Sequence, residues 1–185
     1  LHALDLLSTF VFALVGARIA ADRGLDYGGI TFVATIASIS GGSLRNIFLG
    51  IMPVWVSDPW ILASVLAAVL ITLTFRRVTH VGKVLLAMDT FALATATMSG
   101  TQLSYELGIP WYSSIVFGVI TAVTGGLLRD VLCQVEPVLL HRETIGTACF
   151  TGAIAYIALD ALNLNEGLVV AIAGLIVVLI RELSI

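Results

Sequence analysis

The chain has 185 residues, of which 59% are hydrophobic and only 11% charged, and its mean hydropathy is +1.07. Soluble domains are about half apolar and a quarter charged, so this composition excludes a water-soluble protein, and a net charge of -3 without a basic run excludes a nucleic-acid partner. At about 20 apolar residues per crossing, the length allows about seven or eight spans with tight loops and leaves nothing for a soluble domain.

Apolar runs separated by charged residues, Gly or Pro predict helices over 4–21, 29–50, 59–76, 83–104, 111–133, 143–161 and 166–183. The first run has no basic start and no small-residue cleavage motif, and Asp5 lies within it, so it reads as a span rather than a signal peptide. Leu1 in place of Met points to a trimmed start. None of the breaks between helices is long enough for a second domain, so residues 1–185 are expected to form a single transmembrane domain.

The chain aligns with itself at a shift of 89 − 5 = 84 residues: Asp5 meets Asp89, Gly16 meets Gly100, and Gly24 meets Gly108. Further on, Gly41-Gly42 meets Gly125-Gly126, Leu44-Arg45 meets Leu128-Arg129, Asn46 meets Asp130, and Pro53-Val54 meets Pro137-Val138, all without a gap. Repeat one therefore spans 4–76, repeat two spans 83–161, and a seventh helix over 166–183 stands outside the repeat. Each unit holds three spans, an odd number, so the second must enter the membrane from the opposite face. The expected fold class is all-α integral membrane: two inverted three-helix repeats plus a C-terminal seventh transmembrane helix. With seven spans, Arg18, Arg23, Arg76, Arg77, Lys83, Arg129, Arg142 and Arg181 fall toward one face and only Arg45 toward the other. Basic residues concentrate on the cytoplasmic side, which puts the N-terminus outside and the C-terminus in the cytoplasm. Trp55, Trp60 and Trp111 then mark the outer headgroup region.

The segments most suited to chemistry are Ser40-Gly41-Gly42-Ser43-Leu44-Arg45-Asn46 and Thr124-Gly125-Gly126-Leu127-Leu128-Arg129-Asp130, each inside the middle helix of its unit. Paired glycines leave room either for a kink or for close helix packing. Kinked helices at matching positions of two inverted halves point to a transport pathway. The arginine three residues after each glycine pair needs water or a counter-charge, unless it snorkels to a headgroup. Asp5 is expected to neutralise Arg45, and Asp89 to neutralise Arg129, the alternative being stabilisation of a helix end. Thr31, Thr35, Ser38, Gly42 and Arg45 share one side of the second helix. They read either as the lining of a water-filled passage or as hydroxyls bonded back to backbone carbonyls. Thr121 belongs to a similar series, Ser114, Gly118, Thr121 and Gly125, on the fifth helix. Ala13 and Ala17, and Ala92, Ala96 and Gly100, repeat every four residues, as close helix packing requires.

His2, His80 and His141 lack ligand spacing, and Cys133 and Cys149 read as buried small hydrophobes, so no metal, cofactor or disulfide is expected. Sequence patterns for hydrolytic or nucleotide-binding sites are absent, and catalysis is not expected.

In its doubled Gly-Gly-x-Leu-Arg segments, the Asp5-Leu6-Leu7 opening and Phe10-Val11-Phe12-Ala13, the sequence resembles prokaryotic trimeric intracellular cation (TRIC) channels over essentially its whole length. Ser40 and Thr124 replace the first glycine of the family's repeated motif and Asn46 replaces its first aspartate, while Arg45, Arg129 and Asp130 match. The resemblance implies a homotrimer in a prokaryotic inner membrane, with a pore in each protomer lined by the kinked second and fifth helices. It implies selectivity for monovalent cations, potassium or sodium as the permeant ions, and lipid as the other bound partner. The pore residues it carries over are Gly41, Gly42, Arg45, Gly125, Gly126, Arg129 and Asp130. The competing reading of inverted repeats with broken helices is a secondary transporter that moves a small polar solute by alternating access.

Overall fold

The computed structural model describes residues 2–75, 82–136 and 144–183. Arg76, Arg77, His80, Pro137, Val138, His141 and Arg142, and the expected helix boundaries at 76 and 143, lie outside the described residues. Among the described residues, eight helices follow in order: α1 (His2–Asp22), α2 (Tyr27–Phe48), the one-turn α3 (Val54–Ser57), α4 (Pro59–Thr74), α5 (Gly82–Glu106), α6 (Trp111–Leu132), α7 (Thr144–Asp160) and α8 (Glu166–Glu182). Seven of them correspond to the expected helices. The short α3 occupies the expected break between the second and third long helices, where Pro53 and Pro59 bracket an apolar turn.

Local chemistry accounts for the ends. The Asp26 carboxylate accepts from Gly29 N at 2.7 Å and opens α2, and Asp58 accepts from Trp60 N at 2.9 Å with Pro59 preset for the first helical turn of α4. Four helices close alike. Gly24 and Gly108 adopt φ of +78° and +79°, and Gly50 and Gln134 adopt +70° and 52°. In each case the next residue's N–H reaches back to the carbonyl five residues earlier, as from Leu25 to Ala20 and from Ile109 to Ser104. Both pairs are separated by 84 residues.

Helices α1, α2 and α4 pack on one another, and so do α5, α6 and α7; α1 then lies on α5 and α2 on α6, while α8 packs against α7 and α5. Small residues permit the approach. Ala13, Ala17, Ala20, Ala34 and Ala68 are fully buried, and a methyl on Gly16 would stand 3.0 Å from the Ala37 side chain. The outside is apolar: Leu62, Leu66 and Leu70 on α4 and Leu168, Leu175 and Leu179 on α8 are exposed, a surface suited to lipid rather than water. By length and hydropathy α1, α5 and α6 are each able to cross a membrane, and α4 and α7 are shorter apolar helices.

Candidate functional site

The site is organised by the crossing of α2 and α6. A Cβ on Gly41 would lie 2.0 Å from the Thr121 carbonyl oxygen, and one on Gly125 would lie 2.2 Å from the Ala37 carbonyl oxygen. These contacts are reciprocal, because 41 + 84 = 125 and 37 + 84 = 121. Backbone touches backbone, and only glycine fits. Residue numbers rise along α2 as they fall along α6, so the helices are antiparallel and their C-terminal halves diverge to opposite ends of the molecule. Both helices run without interruption through their glycine pairs. The feature the structure exhibits at Gly41 and Gly125 is therefore close approach. Gly42 and Gly126 have more room, the nearest atom to an added Cβ being the Nη2 of Arg45 at 3.8 Å and of Arg129 at 3.7 Å, respectively.

One cavity lies on each side of this crossing. The first, about 30 Å³, is lined by residues that include Asp5, Thr9, Ser38, Gly42, Ser43, Arg45, Trp55 and Thr121. The second, about 20 Å³, is lined by Asp89, Leu93, Val123, Gly126, Leu127, Arg129, Asp130 and Ile145. Subtracting 84 from the second set gives Asp5, Thr9, Ile39, Gly42, Ser43, Arg45, Asn46 and Ile61; all of these but Asn46 line the first cavity. The two cavities are thus counterparts at opposite ends of the α2–α6 pair.

Their polar contents differ. Arg45 is fully buried; its Nε donates to Asn46 Oδ1 at 2.8 Å, and its Nη1 to Ser99 Oγ at 2.8 Å and to Asp5 Oδ1 at 3.3 Å. The Ser99 hydroxyl also donates to Asp5 Oδ1. Arg45 Nη2 is buried and has no hydrogen-bond partner among the described residues. At the other end Arg129 Nε donates to Asp130 Oδ1 at 2.8 Å and Nη1 to Asp89 Oδ1 at 2.6 Å, while Arg181 from α8 donates through Nη2 to Asp89 Oδ2 at 2.8 Å. Among the described residues, the Arg45 network therefore joins one cation to one carboxylate, and the Arg129 network joins two of each.

Other expected site residues scatter. Thr31 is exposed and Thr35 half-buried, and their hydroxyls donate to the carbonyls of Tyr27 and Thr31, each at 2.8 Å. Ser38, which lines the first cavity, donates to the Thr35 carbonyl at 3.0 Å. Thr121 and Thr124 bond back to Phe117 and Ile120 at 2.6 Å. Buried Ser40 Oγ has no partner among the described residues. Trp60 and Trp111 are exposed, whereas Trp55 is half-buried, lines the first cavity and donates its Nε1 to Ser43 Oγ at 2.9 Å. Sequence reasoning did not name Ser99, Thr9, Trp55 or Arg181 as site residues, and it reached Ser43 only as part of the first glycine segment. The only available signal was that Arg181 is a charge in an apolar run.

A family model described as glycine transporter matches the chain twice, over residues 2–77 and 86–161, a displacement of 86 − 2 = 84 residues. The chain belongs to the glycine transporter family. It is 31% identical over 156 residues to the UPF0126 inner membrane protein YadS of Escherichia coli, spanning 83% of this chain and 75% of YadS. Its fold matches that of the TRIC trimeric intracellular cation channel orthologue from Rhodobacter sphaeroides with a TM-score of 0.91, at 31% identity over 98% of this chain and 94% of that one. A second solved structure, described in terms of conductance through TRIC cation channels, matches with a TM-score of 0.84 at 30% identity, over 100% and 92% of the two chains. This member of the glycine transporter family thus shares its fold with TRIC channels.

Proposed function

We propose that the protein is a monovalent-cation channel of a bacterial inner membrane. It is permeable to potassium and sodium, and it assembles as a homotrimer with a path inside each protomer. The observation that carries this reading is the pair of counterpart cavities, each with a buried arginine, on opposite sides of the Gly41–Gly125 crossing. Similarity to solved TRIC cation channels supports it. In the layout we propose, the seven long helices cross the membrane as two opposed three-helix units plus α8. The N-terminus and the Arg45 cavity are outside, the C-terminus and the Arg129 cavity are cytoplasmic, and the exposed leucines meet lipid.

In this reading the path is shut at the crossing, and the contact between the two backbones at Gly41 and Gly125 supports it. Opening requires α2 and α6 to part there, and the second glycine of each pair, Gly42 or Gly126, gives each helix freedom to bend. Carbonyls freed by that bend, together with Ser38 and Thr121, supply oxygen ligands for a dehydrating cation, while Arg45 and Arg129 narrow the path at either end. Recording purified protein in planar bilayers under a potassium chloride gradient tests the proposal: unitary steps that reverse near the potassium equilibrium potential are expected, and reversal near that of chloride would refute cation selectivity.

The family description favours a second reading, an alternating-access carrier of a small polar solute such as glycine. Cavities on both sides of one crossing serve a carrier equally well. Saturable uptake into proteoliposomes without unitary steps would replace the channel with the carrier.

A further inference from the structure

At the Glu106 end of α5 the two repeats differ in charge. In repeat one Arg18 and Asp22 lie one turn apart on α1, and Arg18 donates to the Asp22 carboxylate at 3.1 Å and to the Phe75 carbonyl at 3.4 Å. The residues 84 positions later are Gln102 and Glu106 on α5, so a neutral amide stands where repeat one has a guanidinium. A second carboxylate joins it: Gln102 Nε2 donates to Glu106 Oε1 at 2.7 Å and also to Oε1 of Glu166, the first residue of α8. Among the described residues, neither glutamate is in an ion pair. The amide gives an independent sign. Gln102 is only 1% exposed and its end lies between the two carboxylates, yet its Oε1 has no hydrogen-bond partner among the described residues. A buried carbonyl oxygen without a donor is unfavourable, and ionised carboxylates have only acceptors to offer it. What all three groups lack is a cation.

We propose that Gln102, Glu106 and Glu166 form a binding site for a divalent cation of the calcium class. A half-turn of the Gln102 amide exchanges Nε2 for Oε1, and three side chains then present oxygen to one point. Water completes the roughly six to eight oxygen ligands that calcium takes, and two carboxylates match its charge. Glu106 and Glu166 are exposed, so the ion enters directly from water at the helix ends. Their flexible side chains suit the irregular shell of calcium better than the strict octahedron of magnesium. Bound there, the ion joins α8 to α5 at the Glu166 end, as Arg181 joins α8 to Asp89 of α5 at the other end. None of the three ligands lines the Arg45 or Arg129 cavity, so the site stands apart from conduction and from solute uptake.

The test is thermal denaturation of the detergent-purified full chain titrated with calcium chloride, with potassium chloride of equal ionic strength as the control. A saturable rise in melting temperature is expected, half complete at about 0.1–1 mM, with magnesium needing about tenfold more. Glu166→Gln, at an exposed position, is expected to weaken the calcium response by about tenfold or more. Gln102→Arg, which reproduces repeat one by tethering a guanidinium between the carboxylates, is expected to abolish it. If Gln102→Arg does not fold, Glu166→Gln decides. No calcium-dependent rise, a rise matched by potassium chloride, an equal response to magnesium, or an undiminished response in the variant that folds would overturn the proposal. Bilayer conductance is measured separately from melting, so the site and the channel reading fail independently.

Discussion

At the Arg45 end of the α2–α6 pair one arginine faces one carboxylate, Asp5, among hydroxyls; at the Arg129 end Arg129 and Arg181 face Asp89 and Asp130 among leucines. The backbone frame is the same at both ends, down to the helix-closing turns at Gly24 and Gly108. What differs is how each buried charge is neutralised. A low-dielectric interior requires that paired charges nearly cancel, and each end meets that requirement locally. Where the first unit has Asn46, the second has Asp130, and the added negative charge coincides with a contribution from outside the repeat, Arg181 on α8. Helix α8 is thereby tied to the charges beside one cavity through the Arg181–Asp89 pair.

The sharpest way to break this comparison is to remove the shared acceptor. Asp89→Asn strips Arg129 and Arg181 of a common carboxylate and is expected to cost about 3–5 kcal/mol. Asp5→Asn, which leaves Arg45 with Asn46 and Ser99, is expected to cost about 1–3 kcal/mol. Thermal denaturation of the detergent-solubilised variants gives the order, and equal losses would contradict the asymmetry. At the crossing the ends should behave alike. Gly41→Ala and Gly125→Ala each drive a methyl into a carbonyl and are expected to cost about 3 kcal/mol, whereas Gly42→Ala and Gly126→Ala should change stability by less than about 1 kcal/mol.

A double-mutant cycle sharpens the role of α8. Asp130→Asn and Arg181→Met each unbalance the Arg129 cavity, and the double variant restores neutrality, so a favourable coupling of about 1–2 kcal/mol is expected. Additive losses would show that α8 is electrostatically indifferent. The smallest effect lies at the surface beside the Arg45 end. Hydrogen bonds from His2 and from Trp60 N–H hold the Asp58 carboxyl below its usual value of 3.8. Because this carboxyl is depressed in the folded state, its stabilisation is full above that value and disappears as pH falls through the lower folded one. The melting temperature of wild type should slightly exceed that of Asp58→Asn at neutral pH, with the gap closing only under pH 3.8. A gap that closes between pH 7 and 5 would assign the effect to another group.

Helix positions were legible because apolar runs must be long to bury their backbones in lipid, and the repeat was legible because Asp, Arg and paired Gly are rare in such runs. The opposed topology puts Asp5 on the face of Arg45 and Asp89 on the face of Arg129, and those pairs stand at 3.3 and 2.6 Å. The polar stripe was less legible. A hydroxyl at helical spacing looks the same whether it faces water, lipid or its own backbone, and Thr31 and Thr35 bond back to their own helix. Residue type and topology make Trp55 a headgroup anchor, yet in the structure it lines the Arg45 cavity and donates to Ser43.

Taken by itself, the sequence determined that the chain lives in lipid, that it is built twice at a spacing of 84 residues, and which charges each half must neutralise, because these follow from composition and from residues too costly to bury without a reason. Only the tertiary structure decided that Gly41 and Gly125 seat opposing carbonyls, that Ser99 and Arg181 join the two charge networks, and that Arg45 Nη2 has no partner among the described residues. Those outcomes depend on which side chains meet across helices far apart in the chain, and neither spacing nor residue type encodes that meeting.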